Sequence, residues 1–227
     1  MMEKIVSYSS SMEKMNRRIL PTFSEEQALW SKGITHIAGI DEVGRGAFAG
    51  PVVAASVVFP PNIVFKNTLL LSINDSKLLS AKKREALAEA IKDEASCFAI
   101  GEIGVDVINK IGIGKATKLA FQKSLDRLSH KAEFCLIDAF ALETFDTLRQ
   151  KAIVHGDQIS VSIAAASIVA KVYRDQLMEK LHDSYKHYNF FQNKGYGTAF
   201  HREQIGKHGL SVMHRTSFAL DRFLLKD

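Results

Sequence analysis

Four carboxylates, Asp41, Glu42, Asp138 and Asp157, each fall at the end of a predicted strand or in the short turn after it. Side chains so placed can converge from different strands. Their chemistry would be that of hard oxygen ligands: Mg²⁺ and Mn²⁺ take carboxylate oxygens, and two-ion phosphodiester hydrolysis uses three or four carboxylates to hold the ions about 4 Å apart. Each residue also has a structural alternative. Asp41 and Glu42 could open a turn, Asp138 could end a strand, and Asp157 could cap the helix that follows. Yet Asp41 comes directly after Ile37-Ala38-Gly39-Ile40, and Asp138 directly after Phe134-Cys135-Leu136-Ile137. Uncompensated burial of a carboxylate at such places is costly, so an ion or a hydrogen-bond network is expected to compensate it. Neighbouring side chains on a strand point to opposite faces, so Asp41 and Glu42 converge only if the strand ends or bends between them. The glycines that follow permit a bend.

Beside this pair, Gly44-Arg45-Gly46 lets the backbone approach a ligand closely, and an Arg between glycines can meet a phosphate. The same glycines would equally serve an ordinary hairpin turn.

The elements that must position these groups are legible in outline. Ser24-Glu25-Glu26-Gln27 has the Ser-x-x-Gln pattern of a capped helix start, leading into Ala28, Leu29 and Trp30 and ending at Gly33. Residues 35–43 and 52–59 are β-branched and apolar, with glycines between them, and predict a hairpin. Composition and spacing predict a helix over 82–93, a strand over 97–103, and an amphipathic helix over 115–128 with Leu119, Phe121, Leu125 and Leu128 on its apolar face. Short strands are expected at 133–138 and 152–155. A long helix is expected over 160–181, its first half (161–172) apolar on nearly every side and therefore buried against a sheet. A strand-rich start followed by alternating helices and strands predicts an α/β or α+β sheet with helices on its faces. From Lys186 the character changes: seven Lys or Arg stand against three acids, with His187, His201, His208 and His214, which suggests a small helical segment closing over a substrate groove.

At 227 residues, with 46% apolar and 24% charged side chains, the chain is sized for one buried core rather than two equal domains, and its composition argues against disorder or a fibrous repeat. The net charge of +5 favours anionic partners without identifying one. Two cysteines, Cys97 and Cys135, are too few for a disulfide framework and fit a reducing, cytoplasmic setting. No stretch has the roughly 18 apolar residues of a membrane span, and the start lacks a signal-type apolar run.

The run from Gly39 to Gly46, Gly-Ile-Asp-Glu-Val-Gly-Arg-Gly, continued by Ala49-Gly50-Pro51-Val52-Val53-Ala54-Ala55, resembles the signature of the type 2 ribonucleases H. Further segments follow in that family's order: Asp75-Ser76-Lys77, Leu136-Ile137-Asp138, Gly156-Asp157, the helix stretch from Ala164 to Lys171, the segment from Lys194 to Thr198, and that from His214 to Phe218. The resemblance spans roughly residues 28 to 220. It implies a ribonuclease H-like α/β fold, a central mixed five-stranded sheet flanked by helices with a small C-terminal helical segment. The implied division is an N-terminal extension (1–27), a catalytic domain (28–185) and a substrate-binding segment (186–227).

The resemblance also implies roles. Asp41, Glu42, Asp138 and Asp157 would be catalytic carboxylates holding two Mn²⁺ or Mg²⁺ ions. Gly44, Arg45 and Gly46 would read the ribose 2′-OH and its phosphate, the contact that separates RNA from DNA. Tyr196 would sense the following sugar, and Lys77 would touch substrate phosphate. The expected activity is cleavage on the 5′ side of a ribonucleotide in RNA–DNA hybrids and in duplex DNA with embedded ribonucleotides, by a cytoplasmic monomer. Ala47 and Phe48 stand where the family more often has Pro and a smaller apolar residue, and Leu78 replaces a frequent Lys. Arg45 between the glycines argues against the sister type 3 enzymes. The rival readings are a non-catalytic hybrid-binding protein, which the complete acidic quartet opposes, and another ribonuclease H-like nuclease such as a resolvase.

Overall fold

The computed structural model describes residues 20–74 and 76–224. Most of the expected N-terminal extension (residues 1–19) and Asp75 of the Asp75-Ser76-Lys77 motif lie outside the described residues. A short helix α1 (Ser24–Trp30) leads into β1 (Ile37–Val43) and β2 (Val52–Val58). These form the expected antiparallel hairpin, in register from Ala38 opposite Val58 to Val43 opposite Val53. Then come α2 (Ala81–Glu94), β3 (Cys97–Ile103), α3 (Val105–Ile111), α4 (Ile113–Asp126), β4 (Phe134–Asp138), β5 (Gln150–Ile153) and α5 (Val161–Ser184). Two further α-helices follow, α6 (Phe190–Asn193) and α7 (Ala199–His208), and short 3-10 turns at Thr216–Phe218 and Leu220–Phe223 end the described chain. The sheet order is β3-β2-β1-β4-β5. The pairs β1–β4 and β4–β5 are parallel and the others antiparallel, so the sheet is mixed.

Every residue of β2 is buried, because helices cover both faces of the sheet. Its side chains alternate: Val53, Ala55 and Val57 pack with α2 and α5, while Val52, Ala54 and Val58 pack with α4. The long helix lies very close to β1, since a Cβ on Gly39 would sit 2.1 Å from the main-chain carbon of Ser162. That glycine and the alanines Ala164 to Ala166 let α5 approach the strand whose end carries Asp41. Ser160 caps α5, accepting the Ile163 amide, so Asp157 is not the cap of this helix.

Three local expectations need correction. Ser24 is the first helical residue of α1 rather than its cap; the cap is Phe23, with no side-chain bond, and the Ser24 hydroxyl pairs instead with Thr22. The helix expected from 115 begins at Ile113 and is preceded by α3, from which Gly112, at φ +79°, separates it. Leu119 is 43% exposed, because the inward stripe of α4 runs through Ala116, Ala120, Phe121 and Leu125, and Leu119 lies off it. Ahead of α1, the Thr22 amide donates to the Ile159 carbonyl at 3.0 Å, and Phe23 packs on the aromatic rings of Trp30, Phe59 and Phe65. Among the described residues no helix is long and apolar enough to cross a membrane.

Candidate active site

The parallel ladder between β1 and β4 ends at the pair Ile40–Ile137. Asp41 and Asp138 are therefore equivalent next residues on neighbouring strands, at their carboxyl ends, where the strands part and open-sheet proteins place their ligands. A cavity of about 440 Å³ opens there, with Asp41, Glu42 and Asp138 in its lining. The strand does not end between Asp41 and Glu42, since both remain paired with β2. They share the cavity because it wraps over the end of β1, and the Glu42 amide donates to Asp41 Oδ1 at 2.7 Å. The rest of the lining includes Gly44, Arg45, Gly46, Lys77 and Tyr196, so the structure brings together all the expected site residues except Asp157.

Asp157 is buried in the single turn that follows β5 and is not among the residues lining the cavity. It is coupled to the others through its neighbour: the Gly156 amide donates to Asp138 Oδ1 at 2.7 Å. Among the described residues, no three His, Cys, Asp or Glu side chains are drawn together into a ready coordination set.

Crowding of acids sets the electrostatics. Burial, then the neighbouring charge of Glu42, holds the Asp41 carboxyl well above its ordinary range; a hydrogen bond from Ser167 works the other way and Asp138 adds to the rise. Burial likewise pushes Glu42 up to about 7, against the pull of Arg45. That guanidinium stands 3.9 Å from Glu42 Oε1 and 5.3 Å from the centre of the Phe140 ring. Glu42 Oε2 is buried with no hydrogen-bond partner. Hard oxygens, mutual repulsion and an unmatched buried oxygen are the features a divalent cation relieves, so the donor set fits such ions.

Three further polar lining residues were not assigned roles from the sequence: Ser76, Ser167 and Lys171. Ser76 Oγ lies 3.0 Å from Ser167 Oγ, which links the segment carrying Lys77 to Asp41. Lys171, one turn beyond Ser167 on α5, donates to Asp175 Oδ1 at 2.7 Å, and its ammonium sits 5.9 Å from the Tyr196 ring centre. The signal available was the i, i+4 spacing of two polar residues within an otherwise apolar, buried helix stretch.

The family model described as Ribonuclease HII matches residues 38–221. A ribonuclease HII of Desulfitobacterium hafniense is 46% identical over 202 residues, covering 89% of this chain and 75% of the relative. The ribonuclease HII of Archaeoglobus fulgidus, solved in a complex with PCNA, superposes with a TM-score of 0.69 at 26% identity, over 84% of this chain and 98% of that one. Bst ribonuclease HIII, solved with Mn²⁺, shares the fold at a TM-score of 0.66 and 22% identity, over 87% of this chain and 72% of that one. With its ribonuclease H-like mixed sheet and acidic cavity, the chain belongs to the ribonuclease HII family, metal-dependent endoribonucleases that act on RNA–DNA hybrids.

Proposed function

We propose that Asp41, Glu42, Asp138 and Asp157 are the catalytic carboxylates of this endoribonuclease and hold two Mn²⁺ or Mg²⁺ ions. Gly44, Arg45, Gly46, Lys77 and Tyr196 form its substrate-binding surface. The cut falls on the 5′ side of a ribonucleotide, in hybrids and at single ribonucleotides embedded in duplex DNA, leaving 3′-hydroxyl and 5′-phosphate ends. The observation that carries this reading is that the acidic strand ends, the Gly-Arg-Gly loop and Tyr196 face one cavity.

The chain's residues divide the work. Asp41 and Asp138, from adjacent strands, fix the acidic floor, and Ser167 orients Asp41 by donating a hydrogen bond to it. Arg45 is half-exposed and leans over Glu42, free to turn toward a phosphate. Lys77 and Lys171 add positive charge at the rim, which favours the substrate backbone over water. The exposed amide-bearing turn at Gly46 presents backbone donors to a ribose hydroxyl without a side chain in the way. Bound divalent ions would supply Lewis-acid charge neutralisation and a more acidic water at the scissile phosphate. The protein would work as a monomer in the cytoplasm, where its two buried free thiols are at home.

The test is a labelled DNA duplex containing one ribonucleotide, incubated with Mg²⁺ or Mn²⁺ beside an all-DNA duplex and an RNA–DNA hybrid. A single cut 5′ to the ribonucleotide, abolished by chelator, is the expected result. Cutting of the hybrid alone would remove the single-ribonucleotide claim, and binding without cutting would leave a hybrid-binding protein.

A further inference from the structure

Two arginines, Arg174 on α5 and Arg215 after α7, are fully buried. Arginine is seldom found so deep without an acid against it. Neither takes part in an ion pair among the described residues; their hydrogen bonds go to main-chain carbonyls. Arg174 donates to Pro51 O at 2.9 Å, Ala49 O at 3.1 Å and Lys194 O at 2.8 Å. Arg215 donates twice to Gly50 O, at 3.0 and 2.8 Å, and to Arg45 O at 2.9 Å.

These acceptors are not scattered. Arg45, Ala49, Gly50 and Pro51 belong to the connection between β1 and β2, which carries the Gly-Arg-Gly turn, and Lys194 lies two residues before Tyr196. The connection and the Tyr196 segment are also joined directly, since Phe48 and Ala49 both donate their amides to Gly195 O, at 2.8 and 3.2 Å. The Arg174 guanidinium stacks 5.4 Å from the Tyr196 ring centre. It also fills the place a side chain on Gly44 would need: a Cβ there would lie 2.0 Å from Arg174 Nε. The planar fork of Arg174 thus holds carbonyls of both segments, while Arg215, from beyond α7, ties Arg45 to Gly50 within the connection. The fixed, spread donors of a guanidinium suit these tasks better than the compact ammonium of a lysine.

We infer that Arg174 and Arg215 are positioning residues that set the spacing between the Gly44–Gly46 backbone and the Tyr196 ring, and through it the preference for a ribonucleotide followed by a deoxyribonucleotide. This rests on the proposed role of that loop and ring in reading the two sugars. If the arginines were only structural glue, their loss would weaken action on every substrate equally.

The experiment compares kcat/KM on a duplex with one embedded ribonucleotide against kcat/KM on a continuous RNA–DNA hybrid, both on the same preparation, so that a lowered folded fraction cancels in the ratio. Arg215→Lys and Arg174→Lys are expected to shift that ratio by about fivefold or more away from the single ribonucleotide. Gly195→Ala is a second route that removes no buried charge. A Cβ there would meet Ala49 O at 2.4 Å, wedging the two segments apart, so the same shift is expected. Equal losses on both substrates, in the Lys variants or in Gly195→Ala, would overturn the inference. A wild-type protein that does not distinguish the two substrates would instead overturn the reading of the loop and ring on which it rests.

Discussion

Asp138 Oδ1 accepts the Gly156 amide at 2.7 Å, so one carboxylate both lines the acidic cavity and fixes the turn that carries Asp157. The two roles separate by substitution. Asp138→Asn keeps an oxygen for the Gly156 amide but loses the charge; it is expected to cut kcat by about a hundredfold or more with little change in melting temperature. Asp138→Ala loses the acceptor as well and leaves a buried amide unmatched, a further cost to stability of about 1–3 kcal/mol. Steady-state cleavage and thermal melts on both variants check this, and retention of more than about a tenth of wild-type activity in Asp138→Asn would remove it from the proposed quartet.

Burial and the charges of Glu42 and Asp138 raise the Asp41 carboxyl well above its ordinary range, so ionising it costs the fold stability. Asp41→Asn is therefore expected to abolish cleavage and, in chelator, to stabilise the fold by about 1–3 kcal/mol, seen as a melting temperature roughly 2–10 °C higher. Adding Mn²⁺ to a hundredfold excess over its Kd should stabilise the wild type by about 2.7 kcal/mol and the variant by much less. A wild type that melts at the same temperature with and without Mn²⁺ would count against the ion site.

The glycines flanking Arg45 make opposite demands. Gly44 has φ +84° and no room for a Cβ beside Arg174, so Gly44→Ala should destabilise by about 2 kcal/mol or more. A Cβ on Gly46 would meet nothing within 4 Å, and its backbone is not left-handed. Folding does not require a glycine there. Gly46→Ala should melt within about 2 °C of the wild type while KM for a ribonucleotide-containing duplex rises about tenfold, because the methyl would stand where the substrate approaches. An unchanged KM would mean that this backbone does not touch the substrate.

The central strands were legible because apolar runs at 37–40 and 52–58 have a single use when both faces of a sheet are covered. Asp41 and Asp138 stood out because an acid directly after such a run needs compensation. What escaped depends on tertiary direction. Leu119 reads as core until neighbouring inward residues fix the helix's rotation, and Ser167 and Lys171 are hidden in a helix whose apolar composition describes only its burial. The roles of Arg174 and Arg215 were invisible for a different reason: composition places arginine at the surface, and only the main-chain carbonyls gathered around each guanidinium explain its burial.

The last prediction concerns acid. His201 and His214 are buried with their Nε2 atoms 3.0 Å apart. The Ser211 amide, which can only donate, points at His214 Nδ1, so His214 carries its proton on Nε2 and donates to His201, which in turn donates from Nδ1 to Tyr196 O. Neither ring has a free position for a second proton. Burial, reinforced by His201, pulls His214 down to about 4, and burial lowers His201 as well. Since the unfolded chain takes up the proton near pH 6.5, the stability this pair contributes is complete above that value and drains as pH falls toward 4. Between pH 6.5 and 5, before most carboxylates titrate, the loss should be about 2 kcal/mol. Urea melts across that interval measure it. His214→Gln, whatever its absolute stability, should flatten the slope, and an equal slope in both proteins would show that the pair does not take up the proton on unfolding.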